Sequence, residues 1–306
     1  MKTKIKRSFL ALVIIASMLI GNTVVFAADS TSNTSDTSPT TTETFYEYDY
    51  IVDVRNKAKS NDLSTYSGED KENIDYILSN APEEELLYRA TLSDAVLKNY
   101  YGYSDNQVAL LREYNGQPLE EYPDARPLLG SLTGSLSRIS GANNNLHIGV
   151  IYSWQWTTLP AMRKDDITAI SWSGVYQNGA SNQIRFNSSK SYSNVSYKVS
   201  DTSGNVDSYT LKYTSFTSNN YYNGAGVKFP VTHKKTSTSY QHTAYKGTMY
   251  VYGDVVNTNY PLIEASTHAE YGHATGSTSI GVSFPLGINI SFSGGVDILG
   301  SSNLII

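Results

Sequence analysis

The chain has 306 residues, a formal net charge of −5 at pH 7 and no cysteine. The lack of cysteine excludes disulfides, thiol catalysis, thiolate metal sites and iron–sulfur clusters. A chain of this length can bury a sizeable core without disulfide bonds. Because the chain is acidic and has no basic cluster, we expect no nucleic-acid partner. No cofactor motif is present, so we expect no cofactor.

Residues 1–27 have the three parts of a secretory signal peptide. Met1–Arg7 carries four positive charges and no negative charge, Phe9–Ile20 is apolar, and Val25–Ala27 supplies small or aliphatic residues before a cleavage point. The apolar run is shorter than the roughly 20 residues of a spanning helix, and no later segment is apolar enough to span. We therefore expect cleavage after Ala27, no stable transmembrane helix in the mature chain, and a protein secreted from, or held at the surface of, a Gram-positive-type cell.

Most of residues 28–44 are Ser, Thr, Asp, Asn or Pro. Such a composition cannot bury enough apolar surface to order itself, so we predict a disordered tether.

The sequence predicts a small helical unit over residues 45–130. Pro82 suits a first helical position, and Ser93 can open a short helix that closes near Gly102. Ser104 and Gln107 have the spacing of a capping box.

Residues 131–306 change to a period of two, with short strands between clusters of Gly, Asn and Ser. Val195, Tyr197 and Val199 lie opposite Tyr209, Leu211 and Tyr213 across a turn at 201–205, which predicts a hairpin. We predict an antiparallel β-sandwich over 131–306. The fold class is therefore α+β by segments, a small N-terminal helical unit followed by a mainly antiparallel all-β sandwich.

Charge is divided unequally between these two parts. Residues 28–130 hold 20 acidic and 8 basic side chains, whereas residues 131–306 hold 8 acidic and 11 basic ones. One interpretation is ordinary solvation of the helical unit. The other is that the acidic unit docks on the mildly basic sandwich and shields it from a partner.

Aromatic residues offer a first candidate site. The chain has 25 tyrosines, which suit both carbohydrate stacking and ordinary half-buried strands. Tyr152, Trp154 and Trp156 share one face of a strand, so they form either a ligand-binding platform or part of the core. The core interpretation is favoured because large aromatic side chains dominate core burial.

A second candidate is the segment that holds the clustered histidines. Glu264, His268 and Glu270 point the same way on a strand and provide oxygen and nitrogen ligands for a metal such as zinc or calcium. Their spacing matches no established metal motif, and surface histidines and carboxylates explain them equally. His273 faces the opposite side unless Gly272 introduces a bulge.

A third candidate is an amphipathic hairpin over 277–293. Its apolar residues alternate with small ones on both sides of a turn near Pro285: Ile280, Val282, Phe284, Leu286, Ile288, Ile290 and Phe292. Such a hairpin inserts into lipid in a pore-forming toxin, but a core hairpin alternates in the same way. Each arm has about eight residues, fewer than the 9–11 of a membrane strand, which favours the core.

No catalytic signature is present. There is no GxSxG elbow, and Asp165 and Asp166 are equally explained by a strand that begins after a charged turn. We therefore expect a secreted or surface-associated, non-enzymatic binding protein, with an envelope polymer, a carbohydrate or another surface protein as its partner. The first alternative is a secreted pore-forming or antimicrobial toxin that acts on an anionic membrane. The second is a hydrolase with an unrecognised site, for which His268 and His273 are the residues to test.

Overall fold

The computed structural model describes residues 41–60, 71–176, 181–182, 184–217, 222–236, 240–273, 280–283, 289–292, 296–300 and 304–305. A group of helices comes first and is followed by a mostly antiparallel β-structure, so the predicted fold class is confirmed. The chain from Thr37 onward forms one compact unit. The boundary at residue 130 is therefore a change of secondary structure within that unit.

In the described stretches 41–60 and 71–130, the N-terminal part has five α-helices and three short helical turns. The helices are α1 Glu47–Lys59, α2 Lys71–Leu78, α3 Ala81–Ala90, α4 Asp94–Val96 and α5 Asp105–Glu113. A π-helical turn at Leu97–Tyr101 continues α4, and 3₁₀ turns follow at Leu119–Glu121 and Pro123–Leu128.

Local capping signals explain where three of these helices begin. Pro82 lies in the first turn of α3, where its missing N–H costs nothing. The Ser93 hydroxyl accepts a hydrogen bond from the Val96 amide at the start of α4. Ser104 and Gln107 form the predicted capping box of α5.

Gly102 ends the π-helical turn with φ +86°, a conformation that favours glycine. A Cβ atom at this position would lie 2.1 Å from the Thr157 carbonyl oxygen. The Leu159 amide donates to the Tyr101 carbonyl at 3.0 Å. The helical part therefore sits directly against the end of a long strand.

The strands are β1 Thr41–Tyr46, β2 Ser131–Arg138, β3 His147–Thr158, β4 Asp165–Tyr176, β5 Ser181–Asn182, β6 Ile184–Phe186, β7 Tyr192–Ser200, β8 Val206–Tyr213, β9 Gly224–Pro230, β10 Thr232–Lys234, β11 Gln241–Val255, β12 Leu262–His273, β13 Ile280–Ser283, β14 Asn289–Phe292, β15 Val296–Gly300 and β16 Leu304–Ile305.

The strands pair antiparallel in three sheets. An eight-stranded sheet has the order β1-β2-β3-β11-β7-β8, with β6 and β10 also paired to β11. A six-stranded sheet has the order β15-β12-β4-β5, with β16 on β12 and β9 on β4. Among the strands of the described residues, β13 and β14 pair with each other in a two-stranded sheet. The predicted hairpin of β7 and β8 is confirmed, with Val195 opposite Leu211 and Tyr197 opposite Tyr209.

Strand β1 includes the last four residues of the segment that the sequence predicts as a disordered tether, so the prediction is wrong for residues 41–44. It pairs with β2 from Thr41 opposite Leu136 to Tyr46 opposite Ser131. Backbone pairing on an edge strand does not require apolar side chains, so a Thr-rich segment can join the sheet. The Phe45 ring also contacts the Trp156 ring edge-on, at 6.5 Å between centroids.

The inner faces of the two large sheets pack against each other. Trp154 on β3 stacks on Phe229 on β9, with ring centroids 5.3 Å apart and planes 7° from parallel. Gly247 on β11 leaves room for Trp154, because a Cβ there would lie 2.5 Å from the indole. Buried residues of the helices belong to the same hydrophobic cluster. The acidic segment therefore shares the core of the sandwich.

A buried arginine joins the helices to the loop between β3 and β4. Arg89 of α3 has no exposed surface and pairs with Glu85 at 2.8 Å. Its guanidinium also donates to the carbonyl oxygens of Leu159 at 3.2 Å and Pro160 at 3.1 Å. These contacts bind the helical segment to one end of the sandwich.

Candidate functional site

The predicted aromatic strip lies on the inner side of β3. Tyr152 is fully buried, and Trp154 and Trp156 are each 2% exposed. Trp154 and Trp156 both pack against Tyr271 of the second sheet. These three rings therefore face the core, and the residues between them on β3 point to the other side of the sheet.

That other side is the candidate site, and we call it the outer face. Pairing in register places its residues in three rows across β3, β11, β7 and β8. The first row is Gln155, Lys246, Ser196 and Thr210; the second is Ser153, Thr248, Asn194 and Lys212; the third is Ile151, Tyr250 and Tyr192. The residues are half-buried or exposed, as expected for a sheet face in contact with solvent.

Two tyrosines on neighbouring strands stack at one end of the outer face. The rings of Tyr192 and Tyr250 have centroids 4.5 Å apart and planes 20° from parallel. The Lys212 ammonium lies 4.2 Å from the centroid of the Tyr192 ring. Burial, and then the neighbouring phenols of Tyr250 and Tyr252, raise the pKa of Tyr192, so its hydroxyl stays protonated. The stack therefore offers ring edges and hydroxyl groups to a ligand.

Hydroxyl and amide groups fill the rest of the outer face. The hydroxyl oxygens of Ser196 and Thr210 are 2.8 Å apart on adjacent strands. Neighbouring strands are about 4.8 Å apart and alternate residues about 6.6 Å apart. The polar groups thus form a regular array, which suits a ligand that carries hydroxyl groups at repeated intervals.

The helical segment borders the outer face at the end opposite the tyrosine stack. The Tyr100 hydroxyl is 2.8 Å from the Thr243 hydroxyl on β11. Lys198 on β7 lies near this border, with its ammonium 5.8 Å from the Tyr100 ring centroid and 5.1 Å from that of Tyr245.

The predicted metal ligands lie on β12 in the second sheet, and only two of them meet. Nε2 of His268 is 2.7 Å from Oε1 of Glu270. Glu264 is exposed and lies four positions before His268, about 13 Å away along the strand. In the described part of the chain, no group of three His, Asp or Glu side chains is arranged to hold a metal ion.

His273 lies on the other side of β12 from His268, as the alternation predicts. Its Nδ1 is 2.7 Å from Oδ1 of Asp166 on β4, and its Nε2 is 3.4 Å from Oε1 of Glu47 on α1. All three side chains are fully buried. The Tyr271 hydroxyl donates to the other oxygen of Asp166.

Glu47 completes this buried ion network with backbone contacts. Its carboxylate accepts hydrogen bonds from the amides of Gly130 at 3.0 Å, Ala161 at 2.8 Å and Met162 at 2.8 Å. Burial alone would raise the pKa of Glu47, but the hydrogen bond and charge of His273, together with the Ala161 and Met162 amides, lower it.

His273 is charged in this network. Burial alone would lower its pKa, but Asp166 and Glu47 raise it to about 9. An imidazolium held between two carboxylates and sealed from solvent cannot reach a substrate. His273 instead links α1, β4 and β12 through its contacts with Glu47 and Asp166.

The predicted amphipathic hairpin is present as backbone. Ile280 pairs with Phe292 and Val282 with Ile290, while Phe284 and Ile288 lie outside the described residues. Strand β14 lies against β4 and β12 without joining their sheet. Over the residues that the structure covers, no helix has the length and apolar character to cross a membrane.

A cleft of about 730 Å³ lies where α2 and α3 meet the β3–β4 loop. Its lining includes Asp75, Glu84, Met162, Arg163 and Lys164. Arg163 is already paired with Glu85 at 3.2 Å. None of the residues predicted as ligand-binding, metal-binding or membrane-inserting lines this cleft.

The chain matches no protein-family model and no curated protein sequence.

Proposed function

We propose that the protein is an exported, non-enzymatic binding protein whose outer face binds a hydroxyl-rich polymer of the cell envelope. The signal-like N-terminus supports export. The observation that carries the binding proposal is the outer face itself, an open array of hydroxyl and amide groups beside the stack of Tyr192 and Tyr250. Tyrosine combines an apolar body with a hydrogen-bonding tip, as a sugar surface requires.

The outer face suits recognition rather than catalysis. Sugar hydroxyls would bind Ser, Thr and Asn side chains and the Tyr hydroxyls, and the sugar ring would lie against the phenol edges. The sheet holds these groups in fixed rows, so little conformational entropy is lost when a ligand binds.

The test is co-sedimentation of the full chain with purified cell-wall polysaccharide. Tyr250→Ala should weaken binding by about tenfold, the equivalent of 1.4 kcal/mol, because it removes one ring of the stack and its hydroxyl. Tyr240→Ala is the matched control, since Tyr240 is 67% exposed and lies outside the three rows. Equal binding by the wild type and both variants would contradict the assignment of the outer face.

A pore-forming function is the second candidate, and one observation favours it. Strands β13 and β14 form a sheet of their own, so the hairpin could leave without breaking strand pairs of either large sheet. The full chain should then release dye from anionic liposomes. Ile288→Asp should abolish the release while leaving the fold intact; if the hairpin belongs to the core, the same change prevents folding instead.

A further inference from the structure

Lysines cluster on the outer face. Lys246 is in the first row and Lys212 in the second, and Lys198 follows Ser196 on the same side of β7. The ammonium groups of Lys198 and Lys246 lie 5.1 Å and 5.3 Å from the centroid of one ring, that of Tyr245. Lys198 is four positions from Asn194, the residue opposite Lys212, so the cluster extends about 13 Å along β7.

On the outer face, the acidic residue Asp254 of β11 lies beyond the third row and is paired with His147. None of the positions in the three rows is Asp or Glu. Within the described ranges, Lys198 and Lys212 contact aromatic rings and have no carboxylate partner. Several lysines elsewhere are paired with carboxylates: Lys57 with Asp53, Lys59 with Glu120, Lys98 with Asp105, Lys228 with Asp165 and Lys235 with Asp207.

Burial changes the pKa of one of these lysines, Lys198. It lowers the pKa of Lys198 to about 8, and no neighbouring carboxylate raises it again. An anion placed beside Lys198 would favour the charged form.

We propose that the polymer bound by the outer face is anionic, and that Lys198, Lys212 and Lys246 bind its phosphate or carboxylate groups while the neighbouring hydroxyl and amide side chains bind its hydroxyls. This inference rests on the proposed function and specifies its ligand. The ligand is a polymer because the lysines are spread along the strands and alternate with hydroxyl groups. A membrane surface is disfavoured because the rows hold only one aliphatic residue, Ile151.

The experiment measures binding of the full chain to purified Gram-positive cell walls and to the same walls after neutralisation. Neutralised walls are stripped of phosphodiester-linked polymer with hydrofluoric acid and have their carboxyl groups converted to amides. Binding should fall at least about tenfold on neutralised walls and should weaken as salt increases.

Matched variants separate the lysine cluster from general charge effects. The triple variant Lys198→Gln, Lys212→Gln and Lys246→Gln should lose the same tenfold on untreated walls. The corresponding Lys-to-Arg variant should retain binding, and so should Lys228→Gln, which removes a lysine from the opposite sheet. Thermal unfolding of each variant checks that the fold is intact.

Each failure has a distinct meaning. Equal, salt-independent binding to untreated and neutralised walls would overturn the anionic ligand but leave the proposed function standing. Loss of binding in the Lys228→Gln control would overturn the role of the cluster. No binding to either wall preparation would contradict the proposed function itself, and binding only to vesicles containing anionic lipid would replace the polymer with a membrane.

Discussion

His273 follows Glu47 by 226 positions in the chain, yet its Nε2 lies 3.4 Å from Oε1 of Glu47, and neither side chain has exposed surface. Asp166 holds the other ring nitrogen at 2.7 Å. One buried cation therefore connects the first helix to two strands of the second sheet. Removing one partner of such a set leaves a buried charge uncompensated, which is strongly destabilising.

The first prediction concerns stability against pH. The pKa of His273 is raised from 6.5 to about 9, so its contribution is complete below about pH 6.5 and is lost as pH rises through 9. The shift corresponds to about 3 kcal/mol. The lowered pKa of Glu47 acts in the opposite direction, and its contribution is lost in acid. Because the acid loss falls below the ordinary glutamate pKa of 4.5, urea unfolding from about pH 2 to about pH 10 measures both limbs.

His273→Gln should be less stable near pH 6 by about 3 kcal/mol and should lack the alkaline loss. His147→Gln is the control, because His147 pairs with Asp254 at the surface and should change stability by less than about 1 kcal/mol. Burial lowers the pKa of Lys198 to about 8, so its contribution to stability changes with pH in the opposite direction to that of His273. Lys198 is present in the wild type and in both variants, so its effect is the same in all three proteins. Parallel curves for the wild type and His273→Gln would contradict a charged, buried His273.

The second prediction concerns Arg89. Arg89→Met should destabilise the chain by about 3–5 kcal/mol, because it leaves the carbonyl oxygens of Leu159 and Pro160 without this donor and removes one of the two arginine partners of Glu85. Arg126→Met removes an exposed pair with Asp49 and should cost less than about 1 kcal/mol. Chemical denaturation distinguishes the two, and similar small effects would mean that Arg89 does not secure the helices.

The third prediction compares two glycines with positive φ. Gly102→Ala should be strongly destabilising, because the new Cβ would overlap the Thr157 carbonyl oxygen. At Gly141, with φ +70°, a new Cβ has no neighbour within 4 Å. Gly141→Ala should therefore cost only the conformational penalty of about 1–2 kcal/mol. Equal melting temperatures for the two variants would contradict the close contact at Gly102.

The fourth prediction concerns the N-terminus. In a Gram-positive host, the exported protein should begin at Ala28, which intact mass and N-terminal sequencing measure directly. Replacing Leu10 and Ile14 with Lys should stop export, because it interrupts the apolar run that the secretion machinery recognises. Export of that variant, or recovery of the wild type with residues 1–27 still attached, would contradict a cleaved signal.

Local patterns predict much of the fold, because their causes lie within a few residues. The capping box at Ser104 and Gln107 and the hairpin of β7 and β8 depend on neighbours in sequence. The alternation also places His273 on the opposite side from His268. Alternation does not reveal which side of β3 is covered by a second sheet. The sequence therefore does not decide whether Tyr152, Trp154 and Trp156 form a ligand-binding platform or part of the core.

The candidate site depends on contacts that sequence spacing does not encode. Tyr192 and Tyr250 meet only because β7 and β11 pair in one particular register. Lys212 joins them through the further pairing of β7 with β8. The acidic total of the chain also hides a local surplus of lysine on one face. The sequence signals for this surface are the abundance of tyrosine and the small excess of basic over acidic side chains in residues 131–306.

Hydrogen–deuterium exchange of the unmodified chain, with and without soluble cell-wall polymer, tests the central claim most directly. The account predicts that the polymer slows exchange in β7, β8 and β11 around residues 192–198, 208–212 and 246–252. Strand β12 and helix α3 should exchange at unchanged rates. Protection confined to β12, to the cleft beside α3, or to no part of the chain would contradict a binding site on the outer face.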